Sequence, residues 1–141
     1  MVVASFALIF DFGLVVLIWL VQLVIYPSFK FYANEELLMW HKLYVSRIAL
    51  VVIPLMIGQI IISAVQLTMS QSLYTVGSFL IVVFLWIFTF THFAPLHKRI
   101  SKSSANAAKI EKLVKRNWGR TILWTLVFVL ELVQQGLYPM E

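Results

Sequence analysis

Residues 2–25 read VVASFALIFDFGLVVLIWLVQLVI, an apolar run broken only by Asp11 and Gln22. A helix crosses a hydrocarbon core with about 20 apolar residues, and this run is longer than that. It has no Lys or Arg ahead of it, is too long for the apolar part of a secretion signal, and carries Asp11 inside it; it is expected to stay as a span. Three more runs come after it, at about Ile48–Leu67 with Pro54 inside, Leu73–Thr91, and Trp118–Gln135. The expectation is a single all-α domain over residues 1–141, an integral membrane four-helix bundle with short interfacial helices at its cytoplasmic face. The connectors fall at about 26–47 and 92–117.

Composition agrees. Of 141 residues, 62% are hydrophobic and 12% charged, whereas a soluble domain is about half apolar and a quarter charged. A core this small cannot hide so much apolar surface, so lipid must cover the rest. No cysteine is present, which excludes disulfides, thiolate metal sites and a catalytic thiol.

A net charge of +5 is of the sign that suits nucleic acid, but its placement argues against that partner. Every Lys and Arg lies at 30–47 or 98–120, and the 68–72 connector and both ends have none. Both basic stretches share a face in a four-span chain. The positive-inside rule makes that face cytoplasmic, leaves both termini outside the cytoplasm in a multi-pass cell-membrane protein, and makes anionic headgroups a partner.

Asn34, Glu35 and Glu36 look like a helix start, with Asn34 as the cap, and this helix is expected to continue into the second span. Ser103 or Ser104 is expected to start a basic helix with an apolar stripe at Ala107, Ile110, Leu113 and Val114, suited to lying on the membrane surface. Pro54 is expected to kink its helix.

Ionisable residues at membrane depth are functional candidates by default. Asp11 and Glu131 are two such groups. Gln22 and Tyr26 return to the face of Asp11; Arg120, Trp124 and Glu131 share a face; Gln59, Ser63 and Gln66 share another, with His41 on its projection. Stripes of this kind are expected to face one another as interhelical hydrogen bonds. The alternative is a proton-sharing carboxylate pair, Asp11 and Glu131, in a small proton-coupled transporter. Four spans enclose little interior, so its path would run between subunits of a homo-oligomer.

A second set gathers at the basic end: Tyr26, His41, Tyr44, His92, His97, Asn117 and Arg120. It contains all three histidines of the chain. Three imidazoles in reach are metal ligands, two can ligate a haem iron, and one can act as a base. The metal reading takes His41, His92 and His97; the catalytic reading takes His41, His97, Asn117, Arg120 and Tyr26. Against a metal, His92 and His97 are five apart with Pro95 between them, so they share no regular helical face. Arg120 is expected to snorkel to the headgroups, or else to bind an anion or carboxylate.

The motifs Trp19–Tyr26–Pro27–Ser28–Phe29, His41, Val52–Ile53–Pro54–Leu55–Met56, Pro95–Leu96–His97 and Leu113–Val114 through Asn117–Trp118–Gly119–Arg120–Thr121 with Trp124 resemble a group of small bacterial four-span membrane proteins. The last of them also resembles the anthrone-oxygenase-like membrane family. This resemblance implies oxidation of a lipophilic small molecule at the cytoplasmic surface, with His41, His97, Asn117 and Arg120 at the matching positions. A third reading, an accessory or structural membrane subunit, uses only the basic surface.

Overall fold

The computed structural model describes residues 2–102 and 107–137, and all of its regular structure is helical. Four rods form. The first joins α1 (Val2–Leu20), a π-turn (Val21–Ile25), α2 (Tyr26–Ser28) and a 3-10 turn (Phe29–Phe31). The second is α3 (Asn34–Met69); the third joins α4 (Leu73–Phe88), a π-turn (Thr89–Phe93) and α5 (Ala94–Lys102); the fourth is α6 (Ala107–Leu137). Short connectors make consecutive rods antiparallel, and packing runs α1–α3–α4–α6 and back to α1.

Three stretches are long and apolar enough to cross a membrane, Val2–Phe31, Asn34–Met69 and Leu73–Ile100. Their outer faces keep Phe12, Leu23, Leu50 and Leu80 exposed, as lipid-facing side chains are. The chain is an all-α membrane protein. The fourth rod is more polar, and α6 packs against α1 and α4 in the same bundle.

Several local expectations are sharpened or corrected. The helix that starts near residue 34 does continue into the second span. Its cap, however, is Ala33, without a side-chain hydrogen bond, and Asn34 is already helical; Glu35 and Glu36 do sit in the first turn. There they favour the positive end of the helix dipole. Pro54 lies inside α3 without interrupting it. Ser72 caps α4 by accepting from the Thr75 amide at 3.2 Å. Ser103 and Ser104 lie outside the described residues. The apolar stripe beyond them is the start of α6, and it turns into the bundle: Ile110 and Leu113 are buried in the cluster that holds Phe29, Leu37, Phe93 and Leu96. Burial against protein replaces the expected contact with lipid.

The two π-turns have one cause. Each ends one residue before an X-Pro step, at Pro27 and at Pro95. Proline has no amide hydrogen, and its ring crowds the carbonyl four residues back. In each rod the backbone widens just upstream, where Tyr26 N–H bonds to Val21 O and Ala94 N–H to Thr89 O, both five residues apart. One extra residue per π-turn rotates the downstream helix by about 100° relative to an uninterrupted α-helix. That rotation aims Tyr26 and His97 inward.

Where α1 meets α3, Gly58 receives the ring of Phe10. A Cβ added there would fall 2.1 Å from Phe10 Cε1, so only glycine admits this approach.

Candidate functional site

The site lies at the basic end of the bundle, where all four rods contribute. The Tyr26 hydroxyl lies 3.0 Å from His97 Nε2, and His97 Nδ1 lies 3.0 Å from His41 Nε2. The two imidazoles stack with centroids 5.1 Å apart. Tyr26 and His41 are buried, among Phe29, Leu37 and Tyr44.

This row of hydrogen bonds can run in either direction, although in the reverse one Tyr26 must turn its own hydrogen away from His97. With every group neutral, Tyr26 can donate to His97 and His97 to His41. Reversed, His41 donates to His97 and His97 to Tyr26. Each nitrogen facing along the row is donor in one form and acceptor in the other. Moving every proton one step carries a proton from Tyr26 to His41 without moving a heavy atom.

Arg120 stands beside this row. Its side chain is buried, with the guanidinium carbon 4.3 Å from the Phe93 centroid and 4.9 Å from that of Trp124. Its Nη1 donates to Asn117 Oδ1 at 3.4 Å, the Tyr26 hydroxyl is a further neighbour, and its Nε has no partner. The expected snorkelling does not occur, because the two rings hold the cation inside the bundle. Among the described residues no carboxylate pairs with it. Asn117 is positioned in turn: its Nδ2 donates to Gln22 Oε1 at 2.9 Å, and Gln22 Nε2 donates to Val114 O at 3.3 Å. Gln22 and Asn117 thereby tie α6 to the first π-turn.

Of these groups Tyr26, His97 and Arg120 line the polar end of a cavity of about 410 Å³. Tyr26, Tyr44, His97, Lys98 and Arg120 form that end; Leu14, Ile18, Val52 and Met56 are among its apolar walls, with Trp124 near Arg120. The exposed residues of its lining, Ile53, Phe90, Ala94 and Lys98, all belong to α3 and the third rod, so the cavity opens sideways between these two, from the apolar Ile53 and Phe90 to Lys98 at the basic end.

His92 does not join the other histidines. It is exposed and packs against Phe88, with centroids 4.9 Å apart. The π-turn and Pro95 separate the phase of His92 from that of His97, so the expected trio is corrected to a pair. Both ring nitrogens of His97 are committed, one to Tyr26 and one to His41. Among the described residues no group of three or more His, Cys, Asp or Glu side chains is placed to hold a metal ion.

Gln22 belongs to the site, whereas the other intramembrane polar residues form two groups in the middle and at the opposite end of the bundle, the first of them reaching the site through Trp124. Gln59 Nε2 donates to Asp11 Oδ1 at 2.6 Å, and Trp124 Nε1 donates to Gln59 Oε1 at 3.1 Å. Glu131 accepts from Gln66 Nε2 at 3.1 Å, from Gln135 Nε2 at 2.7 Å and from the Tyr74 hydroxyl. The stripes expected on α1, α3 and α6 do face one another. Tyr74, Ser78 and Gln135 were not anticipated. Their one signal is depth, since Tyr74 and Ser78 open the third rod at the end where Glu131 lies.

The fold and this site define a helical membrane bundle with a sideways-opening apolar cavity, whose polar end carries Tyr26, His97 and a buried arginine, with His41 behind His97. Comparison with family models, curated proteins and solved structures finds no match for the chain.

Proposed function

We propose that the chain is a membrane enzyme that takes a lipophilic oxygen acid, such as a phenol or an enolisable ketone, into the cavity and removes its proton through Tyr26, His97 and His41. The observation that carries this reading is the direct Tyr26–His97–His41 row at the polar end of an apolar cavity beside Arg120. The substrate's proton passes to the Tyr26 oxygen as the Tyr26 proton passes to His97 Nε2 and the His97 Nδ1 proton to His41 Nε2. The substrate becomes an anion and His41 a cation. Arg120 stabilises the developing oxyanion in a water-poor site, where a fixed positive charge acts most strongly. Asn117 and Gln22 position Arg120 without touching the substrate.

The sideways mouth suits a molecule dissolved in lipid. Deprotonation makes phenols and enols electron-rich, so the oxidation implied by the resemblance to the anthrone-oxygenase-like family would draw on the same residues. With the basic end in the cytoplasm of a four-span cell-membrane protein, and both termini outside, the site works at the inner leaflet. There Lys98 meets anionic headgroups.

The test uses an alkylated nitrophenol, whose phenolate absorbs in the visible. Purified protein at a pH where the free probe is neutral is expected to bind it with a phenolate band. His97→Phe is expected to bind it without that band, and His92→Ala to behave as wild type. Binding of the neutral form alone by the wild type defeats the proposal.

A further inference from the structure

Asp11 and Glu131 share a second, much smaller cavity of about 10 Å³, in which Ser63 and Ser78 also take part. Three features of it need a common explanation. The first is charge. Asp11 is 4% exposed and Glu131 2% exposed, and no described Lys, Arg or His lines this cavity or the one beside it. Glu131 is surrounded by donors from Gln66, Tyr74 and Gln135, whereas Asp11 receives Gln59. One carboxylate is well compensated by dipoles and the other is not. A buried charge left in that state is strongly disfavoured.

The second feature is Ser78. The residue is 5% exposed and lines the cavity, and its hydroxyl forms no well-aligned hydrogen bond, with the Tyr74 hydroxyl as a neighbour. A buried hydroxyl without such a bond costs about 1–3 kcal/mol. The third is size and access. A space of about 10–15 Å³ accommodates one particle the size of a water molecule. Beyond Glu131 lies a vestibule of about 70 Å³ lined by Ser70, Thr75 and Gln135, at the end of the bundle away from the basic connectors. Glu131 lines both spaces.

We propose that the cavity between Asp11 and Glu131 binds one small monovalent metal cation, sodium by size, admitted through the vestibule past Glu131. A single positive particle balances Asp11 and gives Ser78 Oγ a partner at once. The polar lining includes the two carboxylate residues and the hydroxyl residues Ser63 and Ser78; the Ser63 hydroxyl donates to Ile60 O at 3.2 Å and keeps lone pairs to offer; such hard oxygen donors suit a hard cation. Calcium takes six to eight oxygens and magnesium keeps several of its waters, more than this space admits. The site is separate from the Tyr26–His97–His41 row and does not depend on the function proposed for it.

The experiment is thermal unfolding of the full chain in detergent micelles, at constant pH and ionic strength, with sodium replaced stepwise by potassium or N-methylglucamine. The unfolding temperature is expected to rise with the logarithm of sodium concentration, as for any ligand bound only by the folded state. Asp11→Asn is expected to abolish that dependence, and Ser78→Ala to raise the half-effective sodium concentration about tenfold, the weight of about 1.4 kcal/mol. Should Asp11→Asn fail to fold, Ser78→Ala and sodium titration calorimetry on the wild type carry the test. Equal unfolding temperatures in all three salts overturn the proposal. So does a sodium effect unchanged in both variants, or stability that tracks pH alone, which would assign the site to a proton.

Discussion

Replacing Arg120 with leucine separates a structural role from a binding role. Arg120 is 6% exposed, and its guanidinium lies 4.3 and 4.9 Å from two ring centroids and donates to Asn117 at 3.4 Å. Each desolvated cation–π contact is worth about 2 kcal/mol, and the charge-assisted bond to Asn117, stretched to 3.4 Å, adds about 1 kcal/mol or less. Together they return about 4–5 kcal/mol. Removing a cation from water costs several kcal/mol, which is the same size. With its Nε unpartnered and no carboxylate beside it among the described residues, Arg120 contributes little net stability. Arg120→Leu should unfold within about 1 kcal/mol of wild type. An oxyanion in the cavity, by contrast, loses a charge-assisted bond of about 1.5–3 kcal/mol, a fall in affinity of about 10- to 150-fold. Thermal unfolding gives the first quantity, and quenching of tryptophan fluorescence by the nitrophenol gives the second, since Trp124 lines the cavity. If Arg120→Leu loses more than about 3 kcal/mol of stability while binding is unchanged, the guanidinium is a structural element and the anion-stabilising role is wrong.

Gln59 links Asp11 to Trp124, so Gln59→Leu should cost about 1–3 kcal/mol, from two interhelical hydrogen bonds of about 0.6–1.7 kcal/mol each; unfolding in detergent reads the loss, and an unchanged midpoint would show that the Asp11–Gln59–Trp124 chain adds no stability. Gly58→Ala drives a methyl into the Phe10 ring and should destabilise by about 1–3 kcal/mol. The double variant with Phe10→Leu should recover part of that, which a backbone effect of alanine would not.

Much of the bundle could be read from spacing alone. Asp11 with Gln22, Gln59 with Ser63 and Gln66, and Trp124 with Glu131 recur at helical intervals on otherwise apolar runs, and an unpaired polar group in lipid is costly enough that such stripes must face each other. The same reasoning failed for Arg120, because snorkelling depends on where the side chain can reach, and Phe93 and Trp124 lie on different rods. It failed for His92 because a π-turn resets helical phase. Pro27 and Pro95 announced a disturbance, but sequence does not say whether a helix answers proline by kinking, ending or widening. Pro54 in α3 drew no such response. The vestibule beyond Glu131 was hidden for another reason: Tyr74 and Gln135 act there through depth, which links residues of different helices that share no periodicity.

The paired π-turns bear on how such a site can arise and change. Each is one residue more than a plain α-helix over the same rise, so each is equivalent to a single-codon insertion that a proline keeps in place. Such an insertion leaves the lipid-facing pattern on one side of it intact and swings the far side to a new heading. A bundle could thus gain or lose its Tyr–His–His row by two short indels, at Val21–Ile25 and Thr89–Phe93, with no change to its membrane-crossing segments. Alignments of chains with this architecture should then keep their hydrophobic spans in register while slipping by one position at these two places.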